Sequence, residues 1–202
     1  MWRQGEHVVI VGMTGSGKTT LASELLQRRG HVVALITKPD DLSWRGWRTV
    51  STTDKIIAHK HDKWRLAPDF ERQDAQFNAM FIKAWRETRW CIYIDETYHI
   101  VKNRHNERQL IKLLTQGRSN KITVVCGVQR PSWVPREIFS EATHVFSFLC
   151  GDRRDLKALS EGISEELADK VRDLPKYHFA YYNKWDRTVR EGTVKTLDQI
   201  LD

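Results

Sequence analysis

The eight residues from Gly12 to Thr19, GMTGSGKT, constrain the fold more than any other part of the chain. They match the pattern G-x-x-x-x-G-K-[ST] and lie between an apolar β-rich run, His7 to Val11, and a helix-like run that begins at Lys18. Glycines in such a segment let the backbone curl until its N–H groups face an anion, and the following helix dipole points its positive end at that anion. The segment therefore predicts a phosphate-binding loop in an α/β protein.

The residue types in this loop assign roles to its members. Lys18 would hold the β- and γ-phosphates of ATP, and the Thr19 hydroxyl would bind Mg²⁺. The remaining residues would contribute backbone N–H groups. The predicted nucleotide-binding set is Gly12, Met13, Thr14, Gly15, Ser16, Gly17, Lys18, Thr19 and Thr20.

Two adjacent acids, Asp95 and Glu96, follow directly after another apolar run, Trp90 to Ile94. Asp95 would bind the Mg²⁺ shell, and Glu96 is placed to polarise an attacking water. The acid pair favours hydrolysis over phosphoryl transfer to a small molecule, because a kinase would exclude water. A solvated strand end is the alternative interpretation of these two residues.

A fourth strand-like run, Ile122 to Val128, has a polar residue of interest at each end. If this run lies between the P-loop strand and the Asp95 strand, the Gln129 amide reaches both the γ-phosphate and the lytic water. Arg118 lies at the other end, roughly 20 Å away at ~3.3 Å per strand residue, too far from its own nucleotide. We therefore expect Arg118 to act as an arginine finger for a neighbouring subunit. A surface arginine after the helix-ending Gly117 is the alternative.

Strand-like and helix-like stretches alternate along most of the chain, which is typical of a parallel sheet flanked by helices. We predict a single α/β domain over residues 1–202, with a motor core at about 7–150 and C-terminal helices and a β-hairpin at about 151–202. The alternation of strand-like and helix-like stretches is interrupted from Lys38 to Pro68. A helix is predicted to begin near Pro68, with apolar residues at helical spacing: Phe70, Phe77, Phe81, Ala84 and Trp85.

Three motifs in the same order, GMTGSGKT, IYIDE and GRSNKITVVCGVQRPS, make the chain resemble the FtsK/HerA superfamily of DNA-pumping ATPases. A bare motor domain of this size is similar to the genome-packaging ATPases of tailless icosahedral viruses with an internal membrane. The resemblance implies a P-loop NTPase fold with its mainly parallel sheet in the order 5-1-4-3-2. It also implies a homo-oligomeric ring, usually a hexamer, with double-stranded DNA in the pore and Arg118 acting in trans. Many relatives carry Asp-Pro-Lys after the second strand, whereas this chain reads TKPDD, so the resemblance assigns no role to Lys38 or Asp40.

The net charge of +7 and the isoelectric point near 9.4 indicate a polyanionic partner. A translocating ring needs cations that hold phosphates without reading bases. Candidate DNA contacts are Lys102, Arg104 and Arg108 on a predicted loop after Glu96, and Arg45 and Arg48 in a tryptophan-rich basic region. A solvated charged face is the alternative interpretation of both segments.

Other features bound the partners and the compartment. The segment before His7 lacks the apolar stretch of a signal peptide, so we expect a cytoplasmic chain, in the host cytoplasm and virion if the source is a virus. Capsid vertex or membrane proteins are further candidate partners. Cys91 and Cys126 fall in strand-like runs and are expected to be buried thiols. Two rival functions stay open: a nucleotide-gated assembly or secretion ATPase, and a P-loop kinase.

Overall fold

The protein is seen here as a computed structural model that describes residues 2–38, 44, 46–58 and 63–201. Helices lie on both faces of one sheet. The strands are β1 (His7–Val11), β2 (Val32–Leu35), β3 (Arg48–Val50), β4 (Lys63–Leu66), β5 (Cys91–Ile94), β6 (Thr123–Val128), β7 (Ala142–Phe148), β8 (Phe179–Asn183) and β9 (Thr188–Gly192). The helices are α1 (Lys18–Gln27), α2 (Gln73–Glu87), α3 (Thr97–Val101), α4 (Arg104–Gln116), α5 (Glu137–Ser140), α6 (Arg153–Gly162), α7 (Glu165–Lys170) and α8 (Leu197–Leu201).

The centre of the sheet confirms the predicted topology. Within the described residues the strands run in the order β3-β4-β2-β5-β6-β1-β7-β8-β9. The strands at positions 1 to 5 of the order that the resemblance implies are β1, β2, β5, β6 and β7, and they lie side by side as β7-β1-β6-β5-β2, which is the order 5-1-4-3-2. All four of these pairings are parallel. The carboxyl ends of β1, β5 and β6 therefore meet at one edge of the sheet.

Alternation along the central strands divides the core into two layers, because successive side chains of a strand point to opposite faces. On one face Val9 and Val11 of β1 join the buried side of α2 and α4. On the other face Val8 and Ile10 pack with Leu21, Leu25 and Leu26 of α1, the helical stripe predicted from the sequence, and with α8. Both faces of a central strand are covered, which explains why these strands are apolar throughout.

The region left without assignment by the sequence contains two short strands. β3 and β4 pair in parallel with each other, and β4 pairs in parallel with β2. In β4, Trp64 and Leu66 are buried while Lys63 and Arg65 are half-buried, so the strand has the alternation of an outer strand. Charged residues in such short segments hide the strand pattern from a sequence reading.

The predicted start of α2 near Pro68 is wrong. A single 3₁₀ turn, Phe70–Arg72, precedes the helix, and α2 itself begins at Gln73. Phe70 is 77% exposed and contacts the His99 ring, with the ring centroids 6.1 Å apart, instead of joining the helical core face. The rest of the stripe is correct for Phe77, Phe81 and Ala84, which are fully buried.

The C-terminal part of the chain confirms the predicted helices and hairpin. α6 and α7 occupy the predicted helical stretches, and β8 and β9 form an antiparallel hairpin. β8 also pairs antiparallel with β7, so the hairpin extends the same sheet. The sequence NKWD, residues 183–186, lies at the turn of this hairpin.

All three cysteines are buried free thiols. Burial raises the pKa of Cys91 and of Cys126 to about 12 and that of Cys150 to about 11. Over residues 2–38, 44, 46–58 and 63–201, no group of His, Cys, Asp and Glu has the arrangement of a metal site. In the same ranges, no helix has both the length and the apolar character needed to span a bilayer.

His7, at the start of β1, gives the fold a pH dependence that can be measured. Its Nδ1 atom accepts a hydrogen bond from the Val124 backbone N–H at 3.0 Å, which requires an unprotonated nitrogen. Burial lowers the pKa of His7 to about 4, and the positive charge of Arg118 acts in the same direction. The unfolded chain binds this proton at an ordinary pKa near 6.5.

We therefore expect stability to fall as pH falls from about 6.5 to about 4, because only the unfolded state gains a proton there. The histidine contributes a slope of about 1.4 kcal/mol per pH unit in that window. His7→Asn keeps an acceptor for the Val124 N–H and should flatten the slope. Urea denaturation at several pH values measures this, and an unchanged slope in the variant would contradict the assignment.

Candidate active site

The P-loop connects β1 to α1 in a conformation that suits glycine. Gly17, directly before α1, has φ +107°, in the left-handed region. At Gly12 an added Cβ would lie 2.5 Å from Ser16 Oγ and 3.0 Å from Phe148 Cβ, so the loop closes on itself at this point. The Gly12 N–H donates to the Val128 carbonyl at 3.0 Å, which ties the loop to the end of β6.

Two polar groups in the loop fit a phosphate ligand. Lys18 is only 8% exposed, and its Nζ donates to the Met13 carbonyl at 3.0 Å. Burial lowers the pKa of Lys18, and the carboxylates of Asp95 and Glu96 offset part of that change. Ser16 Oγ is buried and finds no hydrogen-bond partner among the described residues. A buried cation and an unsatisfied hydroxyl are the groups that a bound polyphosphate would satisfy.

The predicted acids lie at the carboxyl edge, directly after β5. Asp95 Oδ1 accepts a hydrogen bond from the Tyr93 hydroxyl at 2.8 Å, and the Asp95 N–H donates to the Leu35 carbonyl at 3.3 Å. Glu96 stands at the start of α3. The electrostatic coupling of both acids to Lys18 joins this edge to the P-loop. Asp95 and the half-buried Thr19 offer oxygen ligands of the kind that Mg²⁺ prefers.

The Glu96 carboxylate contacts two residues that follow other strands, Lys38 after β2 and Gln129 after β6. Gln129 Nε2 donates to Glu96 Oε1 at 3.0 Å, and Lys38 Nζ lies 2.6 Å from the same oxygen. The position of β6 between β1 and β5, on which the role of Gln129 depends, is confirmed. Lys38 follows β2, which lies on the far side of β5, and it is a member of the site to which the sequence assigned no role.

Arg118 lies at the opposite end of β6, in the turn between α4 and that strand. Its side chain is exposed, and its guanidinium carbon is 5.1 Å from the centroid of the Trp185 ring. The six residues of β6, at ~3.3 Å each, separate this turn from Gln129 by about 20 Å. The structure thus brings Lys18, Asp95, Glu96 and Gln129 together and leaves Arg118 at the other edge.

Comparison with known proteins decides the family. The sequence model described as "ATPase family associated with various cellular activities (AAA)" matches residues 8–148. The chain belongs to this ATPase family. Its matched segment begins in β1 and ends in β7, so it contains all four predicted catalytic residues of this AAA ATPase: Lys18, Glu96, Arg118 and Gln129.

Individual relatives resemble this AAA ATPase along nearly its whole length. It is 29% identical over 210 residues to the DNA packaging ATPase P9 of Enterobacteria phage PRD1. The alignment covers 97% of this chain and 90% of P9. The fold matches the genome packaging NTPase B204 of Sulfolobus turreted icosahedral virus 2 in complex with ATP-gammaS. That match has a TM-score of 0.74 at 18% identity and covers 95% of this chain and 98% of B204. The pCW3 conjugation coupling protein TcpA shares the fold with a TM-score of 0.62 at 15% identity, over 98% of this chain and 66% of TcpA. The resemblance to viral packaging ATPases stated from the sequence is confirmed.

The predicted DNA-contacting residues of this AAA ATPase lie on different elements from those expected. Lys102 follows α3, and Arg104 and Arg108 belong to α4, so the predicted loop is wrong. Asn103 explains the difference, because its side chain accepts hydrogen bonds from the His105 and Asn106 N–H groups and caps α4. All three cations are exposed.

The second basic region is also partly structured. Arg48 lies on the outer strand β3, with its guanidinium carbon 5.6 Å from the Trp64 ring centroid, and Arg45 lies outside the described residues. Trp44 and Trp64 are buried, and Trp44 packs on Tyr93 with their centroids 5.0 Å apart. These two tryptophans belong to the core.

Arg130 is a structural member of the site that sequence reasoning did not assign. Its guanidinium pairs with Asp152 at 2.8 Å and with Asp155 at 2.6 Å, both at the start of α6. Asp155 is 2% exposed and also accepts hydrogen bonds from the Ser132 N–H at 2.9 Å and the Ser132 hydroxyl at 2.6 Å. The segment after Gln129 is therefore fixed to α6 through one buried carboxylate.

We expect Asp155→Ala to lower the free energy of unfolding by about 2 kcal/mol, because the Ser132 N–H and hydroxyl lose the buried carboxylate that accepts their hydrogen bonds. Hydrolysis should fall more than ATP binding, because the neighbouring Gln129 loses its support. Asp152→Ala is the matched control: its ion pair with Arg130 is exposed and the substitution mainly removes a helix cap, so this variant should lose less stability. Urea denaturation and ATPase assays measure both variants, and equal losses would contradict the assignment.

Proposed function

We propose that this chain is the ATP-hydrolysing motor of a viral genome-packaging machine, and that it moves double-stranded DNA into a preformed capsid as a ring. The observation that carries the proposal is the hydrogen bond between Gln129 and Glu96 beside the P-loop lysine. It unites a phosphate-sensing amide with a carboxylate able to activate water. Relationship to the DNA packaging ATPase P9 over 97% of this chain supports the choice of DNA as the substrate.

The P-loop residues bind the nucleotide in this proposal. Backbone N–H groups of the loop contact the phosphates, and Lys18 holds the β- and γ-phosphates. Thr19 and Asp95 would hold Mg²⁺, which supplies positive charge to the phosphates when bound. The full nucleotide-binding set is Gly12, Met13, Thr14, Gly15, Ser16, Gly17, Lys18, Thr19 and Thr20.

Hydrolysis proceeds by attack of a water on the γ-phosphorus, with cleavage of the bond to the β–γ bridging oxygen. Glu96 orients this water and takes its proton. Because Lys38 donates to Oε1, the Oε2 oxygen is the one that accepts the proton. Gln129 contacts the γ-phosphate while ATP is bound. When the phosphate leaves, the Gln129 amide forms the hydrogen bond to Glu96 that the structure contains.

Arg118 completes the site of a neighbouring subunit. Its distance from its own Gln129, about 20 Å, prevents it from stabilising its own nucleotide. In a closed ring, which we propose to be a hexamer, each subunit presents its P-loop to one neighbour and Arg118 to the other. The transition state then gains a cation that an isolated subunit lacks.

The DNA is held through its phosphates and without sequence preference. Three exposed cations follow Glu96 within twelve residues, Lys102 after the end of α3 and Arg104 and Arg108 on α4, so a change at Glu96 has a short covalent path to them. Arg45 and Arg48 are the second candidate group. Capsid vertex or membrane proteins would dock the ring, and the host cytoplasm and virion would be its location.

We expect long double-stranded DNA to stimulate ATP hydrolysis by the purified protein. The stimulation should grow with protein concentration, because a ring must assemble, and fade with salt, because phosphate contacts release counterions. Lys18→Ala should abolish turnover, while the isosteric Glu96→Gln should bind ATP and hydrolyse it about 10²- to 10⁴-fold more slowly. A slow rate indifferent to DNA would favour the rival nucleotide-gated assembly or secretion ATPase.

Arg118→Ala should bind ATP normally yet lose about 10³-fold or more in turnover. Mixing it with Lys18→Ala protein should restore part of the activity, because the Lys18→Ala subunit supplies Arg118 to a neighbour whose P-loop is intact. Arg89→Ala, which removes an exposed arginine before β5 at the same edge, is the matched control and should hydrolyse ATP at the native rate. Absence of rescue in the mixture would rule out action in trans.

A further inference from the structure

The turn of the β8–β9 hairpin lies beside Arg118. Trp185, in that turn, is 61% exposed. Its ring centroid is 5.1 Å from the guanidinium carbon of Arg118, which is within the range of a cation–π contact. The turn thus supplies a flat surface for a cation that comes from a distant part of the sequence.

The hairpin turn is itself fixed to the sheet. The Lys184 N–H donates to the Thr143 carbonyl at 2.9 Å, and the Trp185 N–H donates to Asn183 Oδ1 at 3.0 Å. Asp186 Oδ1 accepts hydrogen bonds from the Thr188 N–H at 3.2 Å and from the Thr188 hydroxyl at 2.9 Å. These hydrogen bonds fix the backbone of the turn on both sides of Trp185, and with it the position from which the Trp185 side chain extends.

A buried polar network of Glu6, His144 and Tyr181 lies beside Trp185 and lines the same pocket. Glu6 accepts hydrogen bonds from the Arg3 N–H at 2.6 Å and contacts His144 Nε2 at 3.0 Å, and His144 Nδ1 contacts the Tyr181 hydroxyl at 2.8 Å. Burial raises the pKa of Glu6, but hydrogen bonds from the Arg3 backbone, His144 and Trp185 more than offset it, so this pKa is lowered. Glu6, His144 and Tyr181 line the same pocket as Trp185 and Arg118, so this network forms part of the wall beside the indole.

Arg118 needs such support. Its side chain is exposed on a short turn and borders a pocket of about 500 Å³, which offers other rotamers to the guanidinium. An arginine side chain has a large rotamer entropy, and a finger that acts across a subunit boundary must already point at its target. The indole restricts the guanidinium without neutralising it, whereas a carboxylate partner would compete with the phosphate.

We propose that Trp185 is a positioning residue for trans catalysis: it holds the Arg118 guanidinium in the orientation in which it meets the neighbouring subunit's nucleotide. The inference rests on the proposed role of Arg118. It makes the β8–β9 hairpin part of the face that one copy of the chain presents to the next. The partner of this face is the γ-phosphate edge of a second copy.

We expect Trp185→Leu to lower kcat for ATP about tenfold and to leave the KM for ATP unchanged, because the variant's own P-loop is intact. Trp185→Tyr keeps an aromatic face and should retain activity within about threefold of the native rate. Mixing Trp185→Leu with Lys18→Ala protein should restore turnover, since the second chain supplies an intact Arg118–Trp185 pair. Trp185→Gln replaces Trp185→Leu in each assay if the leucine variant fails to fold.

A double-mutant cycle separates this proposal from the one on which it rests. In an Arg118→Ala background, Trp185→Leu should cause no further loss, because the tryptophan acts only through the arginine. A further loss there, or native kcat in Trp185→Leu alongside an inactive Arg118→Ala, would overturn the positioning role and leave the finger standing. Native turnover in Arg118→Ala would instead overturn the finger itself, and the positioning role with it.

Discussion

The parallel pairing of β6 with β1 on one side and β5 on the other is the constraint on which the rest of the structure depends. It brings the ends of three strands to one edge, so that the P-loop, the acid pair and Gln129 converge although they are far apart in sequence. The same pairing puts the start of β6, and with it Arg118, at the opposite edge. One strand therefore has Gln129 beside the P-loop at one end and Arg118, the proposed finger for a neighbouring subunit, at the other.

Among the residues that the structure describes, Lys18, Lys38, Asp95 and Glu96 contribute opposite charges to the carboxyl edge. Lys18 is buried and would be costly to keep charged without the two carboxylates nearby, and Lys38 sits on the outer side of Glu96. In the nucleotide-free protein, Asp95 and Glu96 therefore compensate the positive charge of the buried Lys18. A polyanionic ligand entering between these cations and acids changes the partner of each, which gives Glu96 and Gln129 a physical reason to move.

The sequence predicted the parts of this protein whose signals are local. The P-loop pattern, the apolar runs and the acids after β5 each occupy a few consecutive residues, and the order of the five central strands followed from the resemblance they support. The contact between Lys38 and Glu96 joins residues 58 positions apart, and it depends on β2 lying next to β5. The Arg130–Asp155 pair likewise requires α6 to pack beside the end of β6. α3, β3 and β4 have at most five residues each, too few for their periodicity to be recognised.

The burial of the three cysteines has a practical consequence. A thiol with a pKa near 12 that solvent does not reach has almost no thiolate at neutral pH, so Cys91 and Cys126 are poor targets for alkylating reagents. Cys150, with a pKa of about 11, is protected in the same way. A single cysteine introduced on the exposed face of α4 would then be the reactive one in the native chain. Fluorophores could be attached to the native chain without first removing the natural thiols.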